Sequence, residues 1–157
     1  MYVVNNFAEL VTVVDAASQA VVDTLTGSFS APWHIAANPV TGKVYVANSG
    51  NNSVTVIDGT SVSGVVSLYD SGSPYGIAVD ELHNLVYVAT VESHRIVAVG
   101  DLWGNPDQFL GWASFQRGYN PNRPVPLRAI AVNPQVATGD GGHVWATTST
   151  SDGSEAN

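Results

Sequence analysis

The chain has 157 residues, 45% hydrophobic and only 11% charged, against a usual charged share of roughly 25%. That balance excludes a long charged helix, a coiled coil and a charge-rich disordered chain. The formal net charge is −8, and the five basic residues Lys43, Arg95, Arg117, Arg123 and Arg128 are too few and too scattered for a phosphate-binding footprint, so neither nucleic acid nor an anionic membrane is an expected partner.

In chain order, the first β-rich runs are Tyr2-Val3-Val4-Asn5 and Val11-Thr12-Val13-Val14-Asp15. Ile35-Ala36-Ala37-Asn38-Pro39 comes next, and the turn Val40–Lys43 joins it to Tyr45-Val46-Ala47-Asn48. The next turn, Ser49-Gly50-Asn51-Asn52, offers Gly and Asn for positive φ angles and leads into Val54-Thr55-Val56-Ile57-Asp58. Strands are expected at 33–38, 43–48, 53–58 and 64–68, then at 75–80, 85–90, 95–99 and 109–115, and last at 129–133 and 143–149.

These runs repeat. The aromatic of Tyr2-Val3-Val4-Asn5 recurs at Tyr45, Tyr87 and Trp145, at spacings of 43, 42 and 58. Ile35-Ala36 recurs as Ile77-Ala78 and Ile130-Ala131, and Val11–Asp15 recurs as Val54–Asp58 and Ile96–Gly100. Three elements in one register, with a period in the low forties and four strands per unit, predict an all-β propeller of four-stranded antiparallel blades packed round a channel.

Val44-Tyr45-Val46-Ala47-Asn48-Ser49, continued by Asn52–Asp58, resembles the YVTN family of propeller repeats. Pro74-Tyr75-Gly76-Ile77-Ala78-Val79 is similar to the related NHL repeats. The resemblance covers residues 1–149 and implies architecture rather than activity, since such blades serve binding, surface-layer and enzymatic proteins alike.

The expected units are a partial blade at 1–31, a blade at 32–73, a blade with a long insertion at 74–126, a partial blade at 127–149 and a polar tail at 150–157. Starting and stopping mid-blade leads us to expect a piece of a larger propeller, closed by further blades of the same protein or by a second copy. Asn5, Asn6 and Glu9 interrupt the apolar stretch near Met1, so no signal peptide is read there. The family resemblance, with low lysine and abundant Ser, Thr and Asn, implies an extracellular or cell-envelope location, its signal outside this chain.

Ligands of such rings meet the channel rim, where the repeat places Trp33 and His34, Tyr75 and Gly76, then Arg128 and Ala129. Trp33, His34, Tyr75 and Arg128 are candidates to stack on and hydrogen-bond a polar ligand, with Arg128 holding an anionic group. The other reading is that the aromatics pack between blades. The insertion at 101–126 carries Trp103, Phe109, Trp112, Phe115 and Tyr119, and its Pro- and Asn-rich end adds Tyr119 and Arg123 as ligand contacts.

His34, His83, His94 and His143 hold non-equivalent repeat positions, so no metal site or cofactor is expected. Asp140-Gly141-Gly142 reads as a lengthened turn, and Asp15 and Asp58 as side chains capping turns. With no catalytic residue to nominate, the expected function is a non-catalytic propeller module that binds a protein or small polar ligand or serves a structural role. The alternative is a propeller lyase, lactonase or redox enzyme whose channel site is completed by blades outside this chain.

Overall fold

The computed structural model describes residues 1–102, 105–114, 127–133 and 143–148. Among them there is no helix, and the strands form four antiparallel sheets in simple up-and-down order. The first sheet holds β1 (Tyr2–Asn5), β2 (Leu10–Val14) and β3 (Val21–Leu25). The second holds β4 (Pro32–Ala37), β5 (Lys43–Asn48), β6 (Ser53–Asp58) and β7 (Ser61–Ser67). The third holds β8 (Pro74–Asp80), β9 (Leu85–Thr90), β10 (Arg95–Leu102) and β11 (Asn105–Ser114). The fourth pairs β12 (Leu127–Asn133) with β13 (His143–Thr148).

The sheets stack face to face, and burial shows it. Residues 44–48 of β5 and 53–57 of β6 are buried without interruption, as strands covered on both faces must be. In the first sheet β1 and β2 alternate instead, because only one face is covered. Val11, Val13, Leu25 and Phe29 of the first sheet meet Val44, Val46 and Ile57 of the second. Tyr45, Val54, Val56, Val66 and Leu68 on the other face of the second sheet meet Ile77, Val86, Val88, Val97 and Val99 of the third. The third core is smaller, with Ala89 and Ile96 against Ile130 of the fourth sheet. Successive first strands pack on one another, β4 on β8 and β8 on β12, which sets them at the inner edge of the stack.

The turns carry the repeat's polar residues. Asn38 Oδ1 accepts from the Val40 amide at 2.9 Å, and Asp80 Oδ1 accepts from the Leu82 amide at 3.1 Å, so Asn38 just after β4 and Asp80 at the end of β8 each cap the turn that follows. Asp15 caps as expected, accepting from the Ser18 amide at 2.7 Å. Asp58 does not. Its turn is a two-residue hairpin closed by the pair Asp58↔Ser61, with Gly59 at φ 58° in the first central position. In the turn after β5, Asn52 takes the positive φ of 53°. Gly50 is needed there for closeness, since a Cβ would lie 2.5 Å from Ser30 Oγ.

The segment after β10 also departs from expectation. The outer strand, expected at 109–115, begins at Asn105, so β10 and β11 form one long hairpin and the strand takes up more of 101–126 than expected. Trp103, Phe115, Arg117, Tyr119, Arg123 and the 140–142 turn lie outside the described residues.

Candidate functional site

Each inner strand is interrupted at the same place. In β4, Pro32 pairs with Asn48 but His34 pairs with Ala47, so Trp33 has no partner across the ladder. In β8, Pro74 pairs with Thr90 and Gly76 with Ala89, leaving Tyr75 over. In β12, Leu127 pairs with Thr148 and Ala129 with Thr147, leaving Arg128 over. Three β-bulges at equivalent positions thus single out Trp33, Tyr75 and Arg128. A bulge bends its strand and re-aims one side chain, which is why bulges gather at strand edges and beside binding sites. The expected strands at 33–38 and 75–80 open on Trp33 and Tyr75, whereas Arg128, expected just ahead of 129–133, lies within β12.

The side chains at the first two bulges meet. The rings of Trp33 and Tyr75 lie 4.5 Å apart between centroids with a 44° tilt, a spacing at which aromatic pairs attract. Trp33 keeps 47% of its surface exposed, so the pair does not use up its faces. Beside it, His34 Nδ1 accepts the Ile77 amide proton of the next inner strand at 3.1 Å. An accepting Nδ1 bears no proton, so the neutral ring carries its hydrogen on Nε2 and presents a donor. Sheet-to-sheet packing therefore brings together Trp33, His34 and Tyr75, with the Arg128 backbone at the matching bulge. Tyr119 and Arg123 lie outside the described residues.

Sequence reasoning missed the polar ties between sheets. Tyr2 donates its hydroxyl to the Gly59 carbonyl at 2.8 Å, in the β6–β7 turn of the next sheet. Tyr45, at the equivalent position, donates to Asp107 Oδ1 at 2.8 Å, at the β10–β11 end of the sheet after that. Lys43 Nζ pairs with the other carboxylate oxygen of Asp107. Asn38 Nδ2 donates to Asn84 Oδ1 at 2.7 Å between adjacent first turns. The repeated tyrosine was visible in the sequence, but its acceptors Gly59 and Asp107 were not, because they lie 57 and 62 positions away on the following sheet.

Two groups are electrostatically displaced. Hydrogen bonds from the Ser18 amide and hydroxyl hold the Asp15 carboxyl below the ordinary carboxylate value. Partial burial, with the nearby Asp80 carboxylate, raises the Tyr87 phenol. Asp80 also accepts from His83 Nδ1 at 2.8 Å. Outside the rim, Arg95 lies over Trp112 at 3.8 Å from the ring centroid and donates to the Asp70 carbonyl at 3.2 Å. Phe109 packs edge-on against Tyr69 at 5.3 Å, next to the second sheet, whereas Trp112 stacks on Arg95 of its own sheet.

No family model matches the chain, and neither does any curated protein. Solved structures do. Hydrazine synthase from Kuenenia stuttgartiensis superposes with a TM-score of 0.69 at 20% identity, over 85% of this chain and 35% of that one. A Lactobacillus plantarum protein solved by the Northeast Structural Genomics Consortium superposes with a TM-score of 0.71 at 17% identity, over 94% of this chain and 47% of that one. Both are propeller-type folds.

The fold is a partial β-propeller. At these identities the likeness shows fold alone, and this chain spans less than half of either protein. Its stacked antiparallel sheets are the blades of that arc.

Proposed function

We propose that this chain is a YVTN-type propeller module of an exported or cell-envelope protein, which binds a small polar ligand at its inner rim without catalysing its conversion. The observation that carries the reading is the recurrence of one bulge in three successive inner strands, at Trp33, Tyr75 and Arg128. An exposed aromatic face and a fixed His34 Nε2–H donor, with an arginine in the chain at the third bulge, suit a planar ligand bearing a carboxylate. The YVTN-like residues at 44–58, in register with the other blades, support the family reading.

Benzoate is a minimal probe of that chemistry. Saturable shifts of the Trp33 indole N–H resonance are expected on titration. Trp33→Ala and His34→Ala should each weaken binding by about three- to tenfold. A benzoate response equal in the wild type and both variants refutes the rim site.

Ring completion by further blades belongs to the same reading. Val3 in β1 is 47% exposed, while its equivalents Val46 and Val88 are fully buried between blades. Covering the exposed half of Val3 is worth about 0.7–1.5 kcal/mol. Native mass spectrometry of the complete gene product identifies the source of the cover: a longer single chain or a defined oligomer fits, and a 16.4 kDa monomer refutes completion.

A further inference from the structure

The entry into β4 is strained in a way that the entry into β8 is not. Ahead of Tyr75 the left-handed backbone angle falls on Gly72, at φ 78°, where no Cβ opposes it. Ahead of Trp33 it falls on Ala31, at φ 42°, a conformation that an alanine keeps only where its surroundings impose it.

Those surroundings come from two blades. The Ala31 carbonyl accepts from the Ser49 amide at 3.2 Å and the Ser49 hydroxyl at 2.8 Å, both on the β5–β6 turn of its own sheet. The third blade repeats this tie, with the Val91 amide donating to the Ser73 carbonyl at 2.9 Å. Two further bonds reach the second blade from the first. Glu9 Oε1, in the β1–β2 turn, accepts from the Ala31 amide at 3.0 Å. Asn6 Nδ2, in the same turn, donates to the Pro32 carbonyl at 3.0 Å. That carbonyl belongs to the peptide group joining Pro32 to Trp33. A bulged residue has no partner across the ladder to orient it, so the direction of Trp33 depends on the peptides that precede it.

We infer that the β1–β2 turn of the first blade is part of the rim site, with Glu9 and Asn6 as positioning residues that set Trp33 against Tyr75. Glu9 holds Ala31 in its left-handed conformation, and Asn6 fixes the plane of the peptide leading into Trp33. Neither residue needs to touch the ligand. This inference rests on the proposed rim site and deepens it, because it makes that site the work of two blades ahead of Tyr75, the first of which has no strand equivalent to β4 among the described residues.

The repeat supplies the variants. Glu9 itself lies at φ 51°, and Asn52 holds the equivalent place in the β5–β6 turn at φ 53°. Glu9→Asn therefore keeps the turn but shortens the side chain by one methylene, so that it no longer reaches the Ala31 amide. Glu9→Gln keeps both the length and an acceptor oxygen. Asn6→Ser copies Ser49, the residue at the same place in the second blade. Two readouts on the full chain are compared: the nuclear Overhauser contact between the Trp33 and Tyr75 rings, whose centroids lie 4.5 Å apart, and benzoate affinity. Glu9→Asn and Asn6→Ser should weaken the ring contact and lower benzoate affinity by about three- to tenfold, the worth of one hydrogen bond. Glu9→Gln should recover both, with circular dichroism unchanged throughout.

A ring contact as strong in Glu9→Asn as in wild type overturns the inference, and so does a Glu9→Gln variant that behaves like Glu9→Asn. An Asn6→Ser variant that matches wild type removes Asn6 from the role. A wild type that does not bind benzoate removes the rim reading instead. The ring contact needs no ligand and still decides the positioning role: lost in Glu9→Asn and recovered in Glu9→Gln, it stands, and unchanged, it falls.

Discussion

Asp107 is where two blades are tied, and its removal should be felt across the interface. Its carboxylate accepts from Tyr45, whose side chain is almost wholly buried, and pairs with Lys43, while lysine and aspartate keep only 21% and 14% of their side chains exposed. Asp107→Ala leaves the Tyr45 hydroxyl without this acceptor and the lysine without its counter-ion. Each loss is worth about 1–3 kcal/mol where water is largely excluded. Residual exposure lets water take up part of that, so the bonds account for about 2 kcal/mol. The backbone adds to it, because Asp107 sits at φ 55°, a conformation that alanine tolerates less well than aspartate or asparagine. The sum is about 3 kcal/mol, or roughly 6–12 °C in Tm for a chain of this size. Asp107→Asn keeps the backbone and an acceptor for Tyr45 and should lose about half as much. The assay is urea unfolding followed by circular dichroism, with Lys43→Met and the double variant completing a cycle. A coupling of about 1–2 kcal/mol between Lys43 and Asp107 is expected. An Asp107→Ala variant within about 0.5 kcal/mol of wild type would refute the view that this tie holds the blades together.

Gly50→Ala should cost about 1–3 kcal/mol, because the new methyl meets Ser30 Oγ at 2.5 Å and the Ser30 carbonyl at 3.1 Å; a crystal structure of the variant should show the β5–β6 turn moved away from Ser30, and an unshifted turn with unchanged stability would contradict this. Asp15 has a folded-state pKa below its unfolded value, so its stabilising contribution is present above the ordinary carboxylate range and is lost as pH falls through the folded value. The urea midpoint of Asp15→Asn should therefore change less with acidification than that of wild type, and parallel profiles would contradict the assignment.

The periodicity alone was enough to read most of the strands and their antiparallel grouping, though not β3 at Val21–Leu25, because tyrosine, the Ile-Ala pair and the β-branched runs recur in one frame. Those are local properties. An alternating or β-branched run bounded by Gly, Asn and Asp makes a strand wherever the chain goes next. The second blade shows how far this reaches, with β5 and β6 falling at 43–48 and 53–58 as expected. It is less exact where the spacing lengthens, as in 101–126, where the outer strand expected at 109–115 runs from Asn105 to Ser114.

The positions of the bulges were also partly legible. Trp33, His34, Tyr75 and Arg128 stood out because they align in the repeat, and the structure sets them at or beside one recurring bulge. What no alignment of repeats could supply is the geometry of contact between blades. The 4.5 Å approach of Trp33 to Tyr75 joins residues 42 positions apart, and the Ile77 amide that fixes the His34 tautomer lies 43 positions from it. Tyr45 finds Asp107 across 62 positions. Such partners are chosen by how sheets twist and stack, and that choice is made only when the arc assembles. The sequence by itself determined which residues form blades and which side of each strand is apolar. Tertiary structure alone decided which polar groups meet across the interfaces.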